Sequence, residues 1–304
     1  MGRTAGHGIA FSERALVGLT AIHRYRYLSV AQFSEAAGLK PSFVRELLRD
    51  LERRSVLGSI GNVGLPGGSK APKLYYLTES GHRLVSEALG PAGATLRPWR
   101  KPHKGTRWSP IMGHRMATVD LLLALQNALA ARPDYRLIRD FLEYRRDAGG
   151  GRRAQPETSD YVADSDVPEN RIVPDAAFIL ESAASGQRGL FFLEVDMATE
   201  RIATGIDGAY SVLEKFRQYE RYLTGGRFAE TYRPWGDFRF FTVLFVTRTE
   251  GRLRSVVQST QTPENRLMSY FCLAVFDKVS RDFLGKHWVS RGDREGAPAS
   301  IVKR

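Results

Sequence analysis

A single cysteine, Cys272, stands among 304 residues. No internal disulfide can form and no cysteine-based zinc site can be built, which agrees with a reducing compartment. Long hydrophobic runs are missing too. No stretch approaches the ~20 apolar residues that span a bilayer, and the opening MGRTAGHGIAFSER has no apolar segment of the kind a secretory signal carries. The expectation is a cytoplasmic protein with no membrane partner. The histidines number six and are scattered, with no closely spaced pair, and no internal repeat is visible. Acidic residues are scarce in one region only: residues 1–110 hold 7 against 17 Lys and Arg, whereas the remainder holds 26 against 28.

What is present is enough apolar material, 42% of the chain, for one large core or two ordinary ones. The net charge of +12 and pI of about 9.9 point to a polyanionic partner, and the basic excess is almost wholly N-terminal. Such a split implies two domains. The Pro-, Gly- and Lys/Arg-rich segment GPAGATLRPWRKPHKGTRWSP, residues 90–110, is the natural connector. The resulting division is residues 1–90, a linker at 91–110, a larger domain at 111–290 and a polar tail at 291–304.

In the basic part, Ala15, Leu16, Leu19 and Ile22 mark an apolar stripe and predict a first helix over residues 12–23. Ser29 with Gln32 reads as a capping box opening a second helix that Gly38 ends. A third begins near Ser42, with Val44, Leu47, Leu48 and Leu51 at the i, i+3, i+4, i+7 spacing of one buried face. On another face Arg45, Arg49 and Arg53 recur every fourth residue and stack into a basic stripe. VLGSI, a Gly-rich turn and KLYYLT then read as a hairpin, and Thr78 caps a helix through Leu89. Three helices and a hairpin is the order of a winged helix-turn-helix, whose third helix usually enters the DNA major groove. Lys70 and Lys73 would lie on the wing. The alternative use of such a fold is protein contact or dimerisation. GLPGGSK is not a phosphate loop: its glycine spacing differs from G-x-x-x-x-G-K-[ST] and its context is a hairpin.

The larger part alternates helices and strands, which argues for an α/β domain (α+β over the whole chain) with a mixed sheet. A helix is expected over 111–131, an extended segment over 135–146 carrying Glu143, strands over 171–180 and 190–196 forming a hairpin, a helix over 206–223 burying Tyr210, Leu213 and Phe216, an apolar central strand over 238–247, and a last strand in SYFCLAVFD. Within FLEVDM, Glu194 and Asp196 share one strand face about 6.6 Å apart, from a rise of ~3.3 Å per residue, with Phe192 in line behind them. Asp175 follows Pro174 in the adjoining strand. Three carboxylates on one sheet face repel one another unless a cation neutralises them, and hard oxygen ligands suit Mg²⁺ or Mn²⁺. Asp175, Glu194 and Asp196 are therefore expected to form a metal site.

VPDAAFIL followed by FFLEVD resembles the P-D…(D/E)-x-K signature of restriction-endonuclease-like nucleases, so the α/β domain is expected to share that fold. In that resemblance Asp175 and Glu194 are the metal ligands, and Glu143 is similar to the additional acid of many such enzymes. Asp196 stands where Lys is expected. Some members supply the lysine from the following helix, and Lys215 in EKFRQY is placed to reach back along its aliphatic stem; its other reading is a solvated helix lysine. The whole arrangement, with a K-x-x-x-Y helix and an apolar strand ending in VT, is similar over roughly residues 10–290 to the replication-relaxation family of plasmids and mobile elements. The resemblance implies a Mg²⁺- or Mn²⁺-dependent DNA nuclease or nickase, related to mobilisation relaxases, with Asp175, Glu194, Asp196, Lys215 and Glu143 in its active site and Arg45, Arg49, Arg53, Lys70 and Lys73 on DNA. Double-stranded DNA is the expected partner, with other relaxosome or replication proteins and a second copy of the chain as further candidates. The competing readings are a non-catalytic DNA-binding regulator of replication, transfer or transcription that keeps a degenerate nuclease-like domain, and acids that merely mark strand ends.

Overall fold

Ser12 accepts the Ala15 N–H at 3.3 Å and so satisfies one of the donors left over at a helix start. The helix it opens, α1 (Glu13–Tyr25), buries Ala15, Leu19, Ile22 and Tyr25. It runs two residues past His23 because Tyr25 still falls on the buried face. The computed structural model describes residues 10–61, 71–100, 110–145, 155–162, 170–198, 202, 211–259, 270–290 and 298–302. After β1 (Leu28–Ser29), α2 (Val30–Ala37) starts at the expected capping box, with Gln32 N donating to Ser29 Oγ at 3.2 Å and Ser29 N to Gln32 Oε1 at 3.0 Å. Gly38 ends α2 at φ +61°, a left-handed conformation that glycine adopts without steric cost. A Cβ on Gly18 would lie 2.3 Å from the Phe33 ring, so α1 and α2 meet at a distance only glycine permits.

Helix α3 (Pro41–Arg53) begins with proline, whose missing N–H is surplus there anyway, and buries Val44, Leu48 and Leu51. The hairpin of β2 (Leu57–Ile60) and β3 (Leu74–Leu77) follows, antiparallel with Leu57 opposite Leu77 and Ile60 opposite Leu74. β1 joins β3 to give the sheet order β1-β3-β2. Thr78 caps α4 (Glu79–Ala88) by accepting the Gly81 N–H at 3.0 Å. This is a winged helix-turn-helix; the wing tip, including Lys70, lies outside the described residues.

The chain divides into two compact units, Met1–Val119 and Asp120–Arg304, and the boundary falls inside the long helix α5 (Pro110–Ala130). In the first unit Gln32 Nε2 donates to the Met116 carbonyl of α5 at 3.0 Å. The second unit is built on a six-stranded mixed sheet. β7 (Ala176–Ser182) pairs antiparallel with β4 (Tyr135–Leu142) on one side and with β8 (Arg188–Asp196) on the other; β8, β9 (Thr242–Thr247) and β10 (Phe271–Val275) run parallel; β11 (Val289–Ser290) closes the edge antiparallel, giving the order β11-β10-β9-β8-β7-β4. A separate pair, β5 (Asp160–Tyr161) and β6 (Arg171–Ile172), lies between β4 and β7 in sequence. Helices α6 (Val212–Gly225) and α7 (Arg227–Thr231) precede β9, α8 (Glu250–Ser259) links β9 to β10, and α9 (Phe276–Val279) follows. Parallel neighbours need such crossovers because the chain must return to the same end of the sheet.

One core joins Phe192, Phe216, Tyr219, Tyr222, Phe228, Tyr232, Phe241 and Phe245, with Phe192 ring centroids 4.8–6.0 Å from those of Phe241, Tyr232, Tyr219 and Tyr222. Burying each such side chain stabilises the unit by about 1.5–3 kcal/mol. Several expected elements are altered. The strand over 171–180 breaks into β6 and β7, since Pro174 has no N–H to place in a ladder, and Asp175 sits just ahead of β7. The apolar run 238–247 becomes a strand only from Thr242; Phe238 and Phe241 are buried as its approach. α6 begins at Val212, where Ser211 accepts the Glu214 N–H at 3.2 Å, and buries Phe216 with Tyr219 and Tyr222, while Leu213 is half-buried and Tyr210 lies outside the described residues. The polar end is partly packed, because Ala299 bridges Trp288 and Val302 is buried. Among the described residues no helix is long and apolar enough to cross a membrane.

Candidate functional site

The β7–β8 register pairs Ala176 with Leu193, and one step further it sets Asp175 across from Glu194. Directly opposed residues of antiparallel strands share a face. Asp175 Oδ2 accepts the Val195 N–H at 2.7 Å, which fixes its carboxylate beside the end of β8. Glu194 is 2% exposed, and α6 meets it with two side chains one turn apart: Lys215 Nζ donates to Glu194 Oε2 at 3.0 Å and Tyr219 Oη to Glu194 Oε1 at 2.6 Å. Burial pushes the Glu194 carboxyl up to about 7, Asp175 adding to the rise while Lys215 and Tyr219 oppose it. Burial and the neighbouring Glu194 likewise hold the Tyr219 hydroxyl well above its ordinary range, so Tyr219 stays a proton donor. Strongly shifted groups of this kind concentrate where chemistry is done.

Asp196 turns to a different partner. Arg252, from α8, donates through Nε to Oδ2 at 2.6 Å and through Nη2 to Oδ1 at 3.3 Å, and Oδ1 also accepts the Ala198 N–H at 2.9 Å. Ala198 has φ +61°, uncommon for a residue with a Cβ, and this hydrogen bond helps hold the turn. The carboxylate at the place of the expected lysine thus ties the end of β8 to α8. Removing one partner of a buried ion pair costs about 3–5 kcal/mol. Asp196→Asn keeps the shape but loses the charge, so its melting temperature is expected to fall by several degrees in differential scanning calorimetry; an unchanged transition would show that the pair contributes little.

Among the described residues no three of His, Cys, Asp and Glu gather closely enough to hold an ion together. A cage of three acids therefore does not form here. Asp175 and Glu194 still fit a magnesium-type ion, which keeps several waters and is typically bound by one or two carboxylates plus substrate phosphates. Glu143 donates its backbone N–H to the Asp175 carbonyl at 3.2 Å, which places it across from Asp175 on the β4 side at the same end of the sheet.

Sequence reasoning missed several groups. Tyr219 enters only as the tyrosine of the K-x-x-x-Y helix, four residues after Lys215, with no role given to it at the site. Arg252 lies in EGRLRSVVQS, a stretch to which the sequence reading assigns no element. Buried Asp160 accepts from Tyr222 Oη and from Thr231 Oγ1 at 2.6 Å and faces Arg227 at 3.4 Å; no local pattern links residues so far apart.

On the first unit Arg45 and Arg49 are exposed on α3. Arg53 is exposed but ion-paired with Asp50 at 3.1 Å, and Lys73, at the base of the wing, with Glu52 at 2.7 Å. These pairs dilute the basic stripe at its C-terminal end. Phe43, on the first turn of α3, is 51% exposed.

The sequence profile of the replication-relaxation family matches residues 19–234. The chain belongs to the replication-relaxation family. The matched span of this replication-relaxation protein runs from α1 to beyond α7 and includes Asp175, Glu194, Asp196, Lys215 and Tyr219; Arg252 lies outside it. No curated protein matches the chain. A solved structure concerned with the mechanism for regulation of DNA binding of Bordetella bronchiseptica BpsR by 6-hydroxynicotinic acid is 21% identical over 40% of this chain and 86% of that one, with a TM-score of 0.24. A likeness that low carries no argument about this replication-relaxation protein.

Proposed function

We propose that this is a DNA-binding protein of mobile elements whose winged unit holds duplex DNA and whose α/β unit is a restriction-endonuclease-like phosphodiesterase, cutting or nicking DNA with Mg²⁺ or Mn²⁺. The observation that supports it is buried Glu194, bonded by Lys215 at 3.0 Å and set across from Asp175. Asp175 and Glu194 would hold the ion, which when bound polarises a phosphoryl oxygen and lowers the pKa of its water. Lys215 keeps a positive charge beside the scissile phosphate, where charge develops. Tyr219 fixes the Glu194 carboxylate through its hydroxyl, and Glu143 is the additional acid at the same sheet end. Double-stranded DNA is the partner; relaxosome or replication proteins and a second copy of the chain would join it in the same reading.

A second reading, a non-catalytic DNA-binding regulator, is favoured by a specific observation: both Glu194 oxygens are already engaged, by Lys215 and Tyr219. Cleavage of supercoiled DNA carrying the element's own origin, with either metal, separates the two. Binding without cleavage under both metals would leave the regulator.

Lys215 gives a sharper test. It is no solvated lysine, since it pairs with a buried carboxylate, and Lys215→Ala leaves Glu194 without its cation. The Glu194 carboxyl, already raised by burial, then rises further and holds its proton at neutral pH. Cleavage is expected to fall about 100-fold at pH 7, the scale of ~2.7 kcal/mol of lost charge stabilisation, with partial recovery at higher pH. A rate unchanged across a pH series would remove Lys215 from the site.

A further inference from the structure

We propose that Phe43 reads DNA sequence, its ring taking the 5-methyl group of a thymine in the major groove; this rests on the winged unit binding duplex DNA. Phe43 is the third residue of α3, and the N-terminal residues of a recognition helix are the ones that meet base edges. Its exposure of 51% contrasts with its helix neighbours Val44, Leu48 and Leu51 at 0%, 0% and 2%. It lies at the rim of the apolar face, one turn before half-buried Leu47, with exposed Ser42 and Glu46 beside it.

A large apolar ring left in water on a core-forming helix invites an apolar partner. What surrounds it decides which. Arg45 and Arg49 are exposed on the same helix, Arg53 being paired with Asp50, within a region of 17 basic and 7 acidic residues. That field favours a polyanion over a hydrophobic protein surface. In a duplex the apolar group on offer in the major groove is the thymine methyl, and phenylalanine is among the side chains that contact it. Among the described residues the other exposed large apolar side chains, Val17 on α1, Ile111 on α5 and Phe240 before β9, lie outside α3. Arg45 and Arg49 then supply phosphate or guanine contacts, and Phe43 sets one position of the site.

The test uses the full-length chain and a duplex selected from a random-sequence library. Each thymine of the selected site is replaced in turn by deoxyuridine, which deletes only the methyl group. For the parent, one replacement is expected to weaken binding about fourfold, the factor that burying one methyl supplies. Phe43→Ala should bind thymine and uracil forms equally and lose its base preference at that position, while keeping its salt dependence. An unaltered selected sequence and uracil penalty in Phe43→Ala would overturn the assignment. So would a change from dimer to monomer in sedimentation with DNA preference intact, since the ring would then belong to a contact between copies. Failure of the parent itself to bind any duplex at low salt would instead sink the winged-unit reading, a separate outcome.

Discussion

Asp175→Asn and Glu194→Gln are each expected to lower Mg²⁺- or Mn²⁺-dependent cleavage of supercoiled DNA by at least about 100-fold, because a bound ion contributes several kcal/mol of charge stabilisation and each 1.36 kcal/mol is tenfold in rate. DNA binding is expected to survive, since the arginines proposed to provide it belong to the other unit. The substitutions have opposite structural backgrounds. Asp175→Asn keeps an oxygen for the Val195 N–H while removing the charge. Glu194→Gln replaces a carboxyl that burial has pushed up to about 7 from its ordinary 4.5. A raised acid favours the folded state while protonated, and this contribution is lost as pH rises through 7. The neutral variant has no such loss. Its stability relative to the parent is therefore expected to improve between pH 5 and pH 8, by on the order of 2 kcal/mol, measured by urea denaturation at each pH. A constant difference would mean that Glu194 titrates normally. Retained cleavage in both variants would refute the metal-ligand role.

Replacing Arg45 and Arg49 together with Ala is expected to weaken duplex binding by about 10–100-fold near 0.1 M salt and to flatten the log–log salt dependence by ~0.9 for each phosphate contact removed. Both arginines are exposed. Lys73→Ala is expected to do much less. Its ammonium is engaged by Glu52 at 2.7 Å, so it offers the phosphates little charge, and Arg53 is similarly tied to Asp50. Equal losses for Lys73→Ala and the double arginine variant, in fluorescence anisotropy titrations across a salt series, would show that the wing and not α3 is the main electrostatic contact.

By itself the sequence determined what local rules govern. The capping box of Ser29 and Gln32, the stop at Gly38, the apolar spacing of α3 and the cap at Thr78 all follow from contacts within four residues, so the winged unit was legible almost entirely. The strands around Asp175 and Glu194 were legible too, because apolar runs broken by Gly and turn residues mark hairpins, and a two-residue period puts Glu194 and Asp196 on one face. That shared face did not give the two acids a shared role. Lys215 and Tyr219, on a helix some twenty residues later, claimed Glu194, and Arg252, 56 residues on, claimed Asp196. The burial of Asp160 was equally decided by distant partners, Tyr222, Arg227 and Thr231. A carboxylate's state depends on which charge stands within a few ångströms and how much water is excluded, and only the packing of α6 and α8 against the sheet sets both.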